Sequence, residues 1–357
     1  MKGLLLAGGH GTRLRPLTFS GNKHMLPIAN QPMLFYGLRH LVDAGIRDVA
    51  VVLGPIHEGV EEAIGSGTRL GANVTFIRQG EPRGLAHAVL CAREFLSHDP
   101  FVMYLGDNLL QQGVKPFIRS YRAHNPDAVI GVARVTDPTR FGVVELDGDR
   151  IISLVEKPQH PRSSLALVGV YLFTEAIHDV IDSLQPSARG ELEITDAIAA
   201  LNSSGKRVVV NRLRGWWKDT GRPEDLLEAN DLILETTPRS HYSLHGIVSA
   251  GADISGRVRL EPGSMIGPGA RIHGPVIIGR RTMIEGTAYI GPNTAVGDDC
   301  VIRDSTVRRA IVMDQARLEG PIELTDSIVG RNARLRADGT RSLPISCVVG
   351  DSTQIRL

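Results

Sequence analysis

The chain has 357 residues, with 40 Lys and Arg against 39 Asp and Glu, and 22% of its residues are charged. At about 150 residues per domain, this length suggests two domains, each able to bury a core. The near-zero net charge excludes a nucleic-acid binder held by bulk charge and an acidic disordered chain. Cys91, Cys300 and Cys347 are odd in number and far apart, which fits no metal-type spacing and suggests a reducing cytoplasm.

No apolar run reaches the roughly 18 residues of a membrane span. The apolar residues 1–7 run straight into glycines, so they read as a buried first strand rather than a secretion signal. Short β-branched runs predict strands at 3–7, 49–53, 74–77, 102–105, 129–133, 168–173 and 208–213. Amphipathic stretches at 33–44, 86–95 and 114–124 predict helices between several of them. That βαβ rhythm indicates an α/β, Rossmann-like domain built on a mostly parallel sheet, with ligands beyond the carboxyl ends of its strands. A further amphipathic helix over 223–235 and the stretch 236–245 mark the junction to a second, differently patterned region.

Beyond that junction the period becomes six. Every sixth residue from Val248 to Ile302 is aliphatic, and four residues after each stands a small or β-branched residue, from Ala252 to Thr306. Ten consecutive hexapeptides predict a parallel β-helix, whose coils stack aliphatic rungs inside a prism. The period slips after Ile302 and again before Val329, which reads as loops inserted at corners. Composition changes at the same place. Of the sixteen aromatics only Tyr242 and Tyr289 follow Trp217, and all six lysines precede residue 219. The expected division is 1–240 and 241–357.

The first segment with chemistry is Leu6-Ala7-Gly8-Gly9-His10-Gly11-Thr12-Arg13-Leu14-Arg15-Pro16. Glycines there admit phosphate oxygens to backbone N–H groups, and Arg13 adds a forked charge. Glycine richness alone would also mark an ordinary turn. A dinucleotide fingerprint fails at Leu14, and a Walker loop fails for want of Gly-Lys-Ser/Thr. Asp107 ends an apolar strand, and with Asp219 it makes a plausible two-carboxylate Mg²⁺ site. Gln79 has the donors and acceptor to pair with N3–H and O4 of thymine or uracil. His10 and His87 sit in the same segments without a visible triad partner, so structural or ligand-edge roles suit them.

These segments resemble the sugar-1-phosphate nucleotidylyltransferases. The resemblance rests on residues 6–16, Lys23-His24-Met25-Leu26-Pro27, Gln79 to Ala88, Leu105-Gly106-Asp107-Asn108, Phe141-Gly142, Glu156-Lys157-Pro158, Gly190 to Thr195, and Trp217-Lys218-Asp219-Thr220-Gly221. Within the family the pattern is most similar to the long-type glucose-1-phosphate thymidylyltransferases, which carry a C-terminal left-handed β-helix. The resemblance implies a Mg²⁺-dependent reaction of dTTP with glucose 1-phosphate. It makes Arg13, Lys23, Asp107 and Asp219 the catalytic set, with the two aspartates on the metal. Nucleotide contacts would come from Leu6, Gly8, Gly9, Gly11, Thr12, Arg13, Gln79 and Gly84. Sugar-phosphate contacts would come from Gly142, Glu156, Lys157, Gly169, Arg189 and Trp217.

UTP or another sugar 1-phosphate, including an amino sugar, stays open on the sequence. A silent sugar-nucleotide sensor also stays open, although the complete set of charges argues against it. The expected partners are therefore small molecules, with no nucleic acid and no membrane. Left-handed β-helices often belong to acyltransferases with a histidine base, and His273 is the one histidine within the regular coils. No partner carboxylate is identifiable for it, so an oligomer-building scaffold or a platform for an allosteric ligand is the preferred reading.

Overall fold

The structure is a computed structural model that describes residues 1–339 and 343–357. They form two compact units: residues 1–10 with 33–219, and residues 11–32 with 220–357. No helix among the described residues is long and apolar enough to cross a membrane.

The first unit is an α/β domain. Its parallel centre joins Phe101–Leu105, Lys2–Ala7, Asp48–Leu53 and Asn73–Arg78 in that spatial order. Every strand predicted from the sequence forms. Leu165–Phe173 runs antiparallel to Phe101–Leu105 and extends the sheet to Ala128–Arg134 and Val208–Arg212. The hairpin Gly142–Asp147 and Arg150–Glu156 completes the sheet and has no counterpart among the predicted strands. Its inward positions Val144, Ile151 and Leu154 are buried, but charged residues interrupt the apolar pattern. The helices are Met33–Asp43, Val60–Ile64, Leu85–Cys91, Arg93–Leu96, Lys115–His124, Ala176–Asp182 and Ile194–Ser203. Ala92 interrupts the stretch expected as one helix over 86–95.

In the second unit, three-sided coils stack into a parallel β-helix of the left-handed hexapeptide kind. One face stacks Val248, Ile266, Ile284, Ile302, Leu318, Leu335 and Ile355 in register. The interior rungs are dry: Ile266, Ile284, Ile302 and Leu318 have no exposed surface. Val248 is 40% exposed, because the first rung has no preceding coil beneath it. The polar residues in small-residue slots are satisfied. Thr282 donates to the Gly297 carbonyl (2.6 Å) and accepts from the Cys300 amide (3.0 Å).

The slips in period are not inserted loops. Ile290 pairs with Val307 and Val296 with Val312, so each step from Ile302 through Val307 to Val312 is five residues long. A single strand, Thr306–Val312, turns the corner with Arg309 in the left-handed region (φ 43°). The slip before Val329 has the same cause, since Leu324 and Val329 share the strand Glu323–Val329. Among the described residues, the next partner of Leu324 is Ile345, ten residues after Leu335 in the chain.

Also in this unit, residues 11–32 form the 3-10 turns Thr12–Leu14 and Lys23–Met25 and a small hairpin of Pro27–Ile28 with Gln31–Pro32. Leu14, Leu17, Leu26 and His24 are buried. The helix Pro223–Thr236 runs to one residue past its expected end.

Candidate active site

In the first unit, the loops at the carboxyl ends of the parallel strands carry Gly8 and Gly9, Gln79, and Asp107. Asp107 stands two residues after the end of the strand Phe101–Leu105. The short strand Asn108–Leu110 then pairs antiparallel with Trp217–Asp219, setting Asp219 opposite Asn108. Two carboxylates that are 112 positions apart in the chain are thereby brought to one corner. Arg140 Nη2 stands 4.0 Å from Asp219 Oδ2.

Asn108 organises this corner, and the sequence reading missed it as a site residue. Its side chain is buried. It donates to Asp107 Oδ1 (3.0 Å), and its own Oδ1 accepts from Trp217 Nε1 (2.6 Å) and the Gly169 amide (3.2 Å). Gly169 matters for the same reason: a Cβ there would lie 2.6 Å from the Asn108 carboxamide carbon. Behind them, the Tyr104 hydroxyl donates to the Asn108 carbonyl (3.0 Å), and His40 Nδ1 lies 3.2 Å from that hydroxyl. Burial pulls His40 down to a pKa of about 4, opposed by Asp43 and aided by Arg39. It is therefore a neutral donor under the aspartate corner. The only sequence signal for Asn108 was its place beside Asp107 in the motif.

A second group lies at the end of the hairpin. Glu156 is the ladder partner of Gly142, and its Oε2 accepts from Thr195 Oγ1 (2.6 Å). Lys157 adopts φ 43°, with its ammonium 3.4 Å from Glu156 Oε1. Arg189 reaches Glu156 Oε1 at 3.9 Å, but its guanidinium is held mainly by buried Glu193 (2.8 and 3.0 Å) and by Glu191 (3.1 Å). Phe141 meets Trp217 edge-on at 5.3 Å and so joins this group to the aspartate corner.

The third group flanks a cavity of about 620 Å³ lined by His10, Leu53, Gly54, Arg78, Gly80 and Glu81. Gln79, in the same stretch of chain, donates through Nε2 to the Gly84 carbonyl (3.0 Å) and sits 3.2 Å from His87 Nδ1. Burial, aided by Arg83, lowers the pKa of His87 and keeps its ring neutral. Leu6 is buried in the first strand, and a Cβ on Gly8 would meet Gln79 Oε1 at 3.0 Å. At Gly84 (φ 102°) a Cβ would strike the Leu192 backbone at 2.4 Å, so close chain packing already demands glycine there. Gly9 follows in the same loop.

Gly11, Thr12, Arg13 and Lys23 belong to the second unit. Gly11 (φ 64°) is covered by Lys23, whose Cβ lies 2.9 Å from where a Gly11 Cβ would be, and Thr18 Oγ1 donates to the Gly11 carbonyl (2.8 Å). His273, on the β-helix, faces Ser255 Oγ at 2.9 Å on an exposed surface. A separate cavity of about 450 Å³ between Lys115–His124 and Val208–Arg212 contains none of the expected residues.

Carboxylates at a strand end, a lysine just past the neighbouring hairpin and a glycine-lined cavity are chemistry suited to phosphorylated small molecules. The comparisons name the class. The nucleotidyl transferase family matches residues 2–236, and the GMPPB C-terminal domain matches residues 272–356. A glucose-1-phosphate thymidylyltransferase of Streptomyces griseus is 44% identical over all of this chain and 99% of its own. A low-salt glycan biosynthesis nucleotidyltransferase, Agl11 of Haloferax volcanii, is 41% identical over the full length of both chains. A solved structure from Bacillus anthracis, provisionally assigned as a glucose-1-phosphate thymidylyltransferase and holding a sucrose, aligns with a TM-score of 0.61 at 37% identity. It covers 64% of this chain and 94% of its own. The chain belongs to the nucleotidyl transferase family. It is thus an enzyme class that takes a nucleoside triphosphate and a sugar 1-phosphate and generally uses a divalent metal.

Among the described residues no group of three or more His, Cys, Asp or Glu is placed to hold a metal ion. Two hard carboxylates in one corner suit a divalent ion that takes its remaining ligands from phosphate oxygens and water. The donor set fits.

Proposed function

We propose that the chain is a glucose-1-phosphate thymidylyltransferase, joining dTTP to α-D-glucose 1-phosphate with release of pyrophosphate. A catalytic domain over 1–240 would precede a β-helix over 241–357. Full-length similarity to the Streptomyces griseus enzyme supports the reaction. The observation that carries the site is the antiparallel pairing that sets Asp219 opposite Asn108, beside Asp107.

In this reading the sugar-phosphate oxygen attacks the α-phosphorus in line, and the bond from that phosphorus to the departing pyrophosphate oxygen breaks. Proton transfer is not demanded, so the protein's work is positioning and charge neutralisation. Arg13 and Lys23 hold the triphosphate and the charge that develops as pyrophosphate leaves. Gln79 reads the base: with its Nε2 hydrogens turned to the Gly84 carbonyl and His87 Nδ1, its Oε1 is the atom that accepts from the N3–H of a pyrimidine. Because thymine and uracil share N3–H and O4, UTP is the second reading. Glu156, held by Thr195, accepts from hexose hydroxyls, with Gly142, Gly169 and Trp217 around the sugar. Lys157, helped by Arg189, holds the sugar phosphate. Asp107 and Asp219 would hold Mg²⁺, which supplies Lewis-acid neutralisation of the reacting phosphates. The β-helix builds a homo-oligomer, and the protein works in the cytoplasm.

Pyrophosphate release measured across five nucleoside triphosphates and several sugar 1-phosphates should peak for dTTP with glucose 1-phosphate. Release with no combination would sink the enzyme reading in favour of a sensor. Asp107→Asn and Asp219→Asn should each cost about 10²-fold or more in turnover with the melting temperature unchanged. Near-wild-type rates would remove them from the metal site.

A further inference from the structure

The segment that carries Arg13 and Lys23 is bolted to the side of the β-helix. Near its middle, Ser20 Oγ donates to Asp351 Oδ2 (2.5 Å), and Arg331 Nη2 donates to the Met25 carbonyl (3.0 Å). At its end, Asn30 Nδ2 donates to the Val296 carbonyl (2.6 Å). The Ala29 amide donates to Asn230 Oδ1 (3.0 Å), and buried Asn230 donates in turn to the Asn293 carbonyl (3.0 Å). Pro16 packs so closely on the last coil that a Cβ on Gly350 would lie 3.1 Å from it.

Arg331 and Asp351 occupy one repeating corner of the solenoid. On successive coils that corner is Arg280, Asp298, Asp314, Arg331 and Asp351, each one residue after a stacked Gly or Met. In this column a carboxylate caps the backbone of the coil before it. Asp298 accepts from the Arg280 amide (2.7 Å), Asp314 from the Asp298 amide (2.8 Å), and Asp351 Oδ1 from the Arg331 amide (2.7 Å). The last two coils add a second use. Asp351 spends its other oxygen on Ser20, and Arg331 extends its side chain to the turn Lys23–Met25.

We infer that Arg331 and Asp351 are positioning residues for the triphosphate, acting through the loop that carries Arg13 and Lys23. This rests on the proposed roles of those two cations. The physical need is plain. A loop begun by Gly8, Gly9 and Gly11 has large conformational entropy, and a displacement of about 1 Å in a catalytic group can cost 10²-fold in rate. Fixing the loop on a rigid solenoid spends that entropy at folding rather than at substrate binding. The β-helix thus serves the triphosphate side of the reaction, while Glu156 and Lys157 lie outside its unit.

The full-length protein carrying Arg331→Met, Asp351→Ala or Ser20→Ala tests this, with Arg331→Lys as the conservative control. For Arg331→Met and Asp351→Ala, KM for dTTP should rise about tenfold while KM for glucose 1-phosphate stays within about twofold. Arg331→Lys should recover most of the loss. Ser20→Ala should add nothing in the Asp351→Ala background. Hydrogen exchange of residues 12–26 should accelerate, with residues 283–318 unchanged. Unchanged exchange and unchanged KM for dTTP would overturn the inference. So would equal rises in both KM values with faster exchange throughout the coils, which would mean general loosening. If the wild-type protein releases no pyrophosphate with any substrate pair, the reaction proposed above fails separately. The exchange of residues 12–26 then decides whether the corner holds the loop.

Discussion

One carboxamide shows how much a single residue settles. Asn108 satisfies Trp217 Nε1 and the Gly169 amide with one oxygen and steadies Asp107 with its nitrogen. An apolar or truncated side chain would leave the buried Gly169 amide and the half-buried Trp217 Nε1 without an acceptor. Asn108→Ala should therefore lower the unfolding free energy by about 2–4 kcal/mol in urea titrations. Gly169→Ala should cost a similar amount by driving a methyl into the carboxamide, 2.6 Å from its carbon. The two losses share one contact, so they should not add. In the Asn108→Ala background, Gly169→Ala should be nearly free. Full additivity would mean that Asn108 is not the reason for glycine at 169.

At the scale of elements, the two halves owe their stability to different periodicities. In the β-helix each aliphatic residue touches its equivalents one coil above and below, so a rung has little room to relax. Ile284, between Ile266 and Ile302, should lose about 2–4 kcal/mol as Ile284→Ala, read from the urea midpoint. A loss under 1 kcal/mol would show that neighbouring coils close the gap. The same periodicity explains why this half was so legible in the sequence. A period of six repeated through ten hexapeptides leaves few other folds, whereas the meaning of a slip is ambiguous. A corner one residue shorter and a loop several residues longer both break the count, and only strand pairing separates them. In the first half, buried parallel strands such as Lys2–Ala7 announce themselves as apolar runs. The hairpin Gly142–Glu156 does not, because a bulge between Ile151 and Ser153 breaks its period of two. It puts buried Ile151 and Leu154 three residues apart and turns Ile152 and Val155 to solvent. The site was legible where motif residues touch ligands in the resemblance. It was illegible where one motif residue supports another, as Asn108 does for Asp107 and His87 for Gln79.

For the whole molecule, acid stability follows from histidines that folding keeps neutral. Burial lowers the pKa of His40, His87 and His178; for His40 it falls from 6.5 to about 4. His178 is enclosed beside Phe101, and Arg93 adds to its shift. Between these limits the unfolded chain binds protons that the folded chain refuses. Stability is thus complete above about pH 6.5 and is lost as pH falls towards 4, with His40 alone accounting for up to about 3 kcal/mol. Carboxylates lowered by partners, Asp99 beside Lys2, Asp299 beside Arg281 and Asp338 beside Arg336, act in a different window. Their contribution is present above the ordinary carboxylate value near 3.8 and is lost only below it. The two causes therefore separate on the pH axis. Urea midpoints taken from pH 7.5 to 4.5 should fall for the wild-type chain. His40→Gln keeps a donor for the Tyr104 hydroxyl but cannot titrate, so it should start lower and fall less steeply over the same range. An identical slope in the two proteins would mean that His40 takes up its proton in the folded state as readily as in the unfolded one.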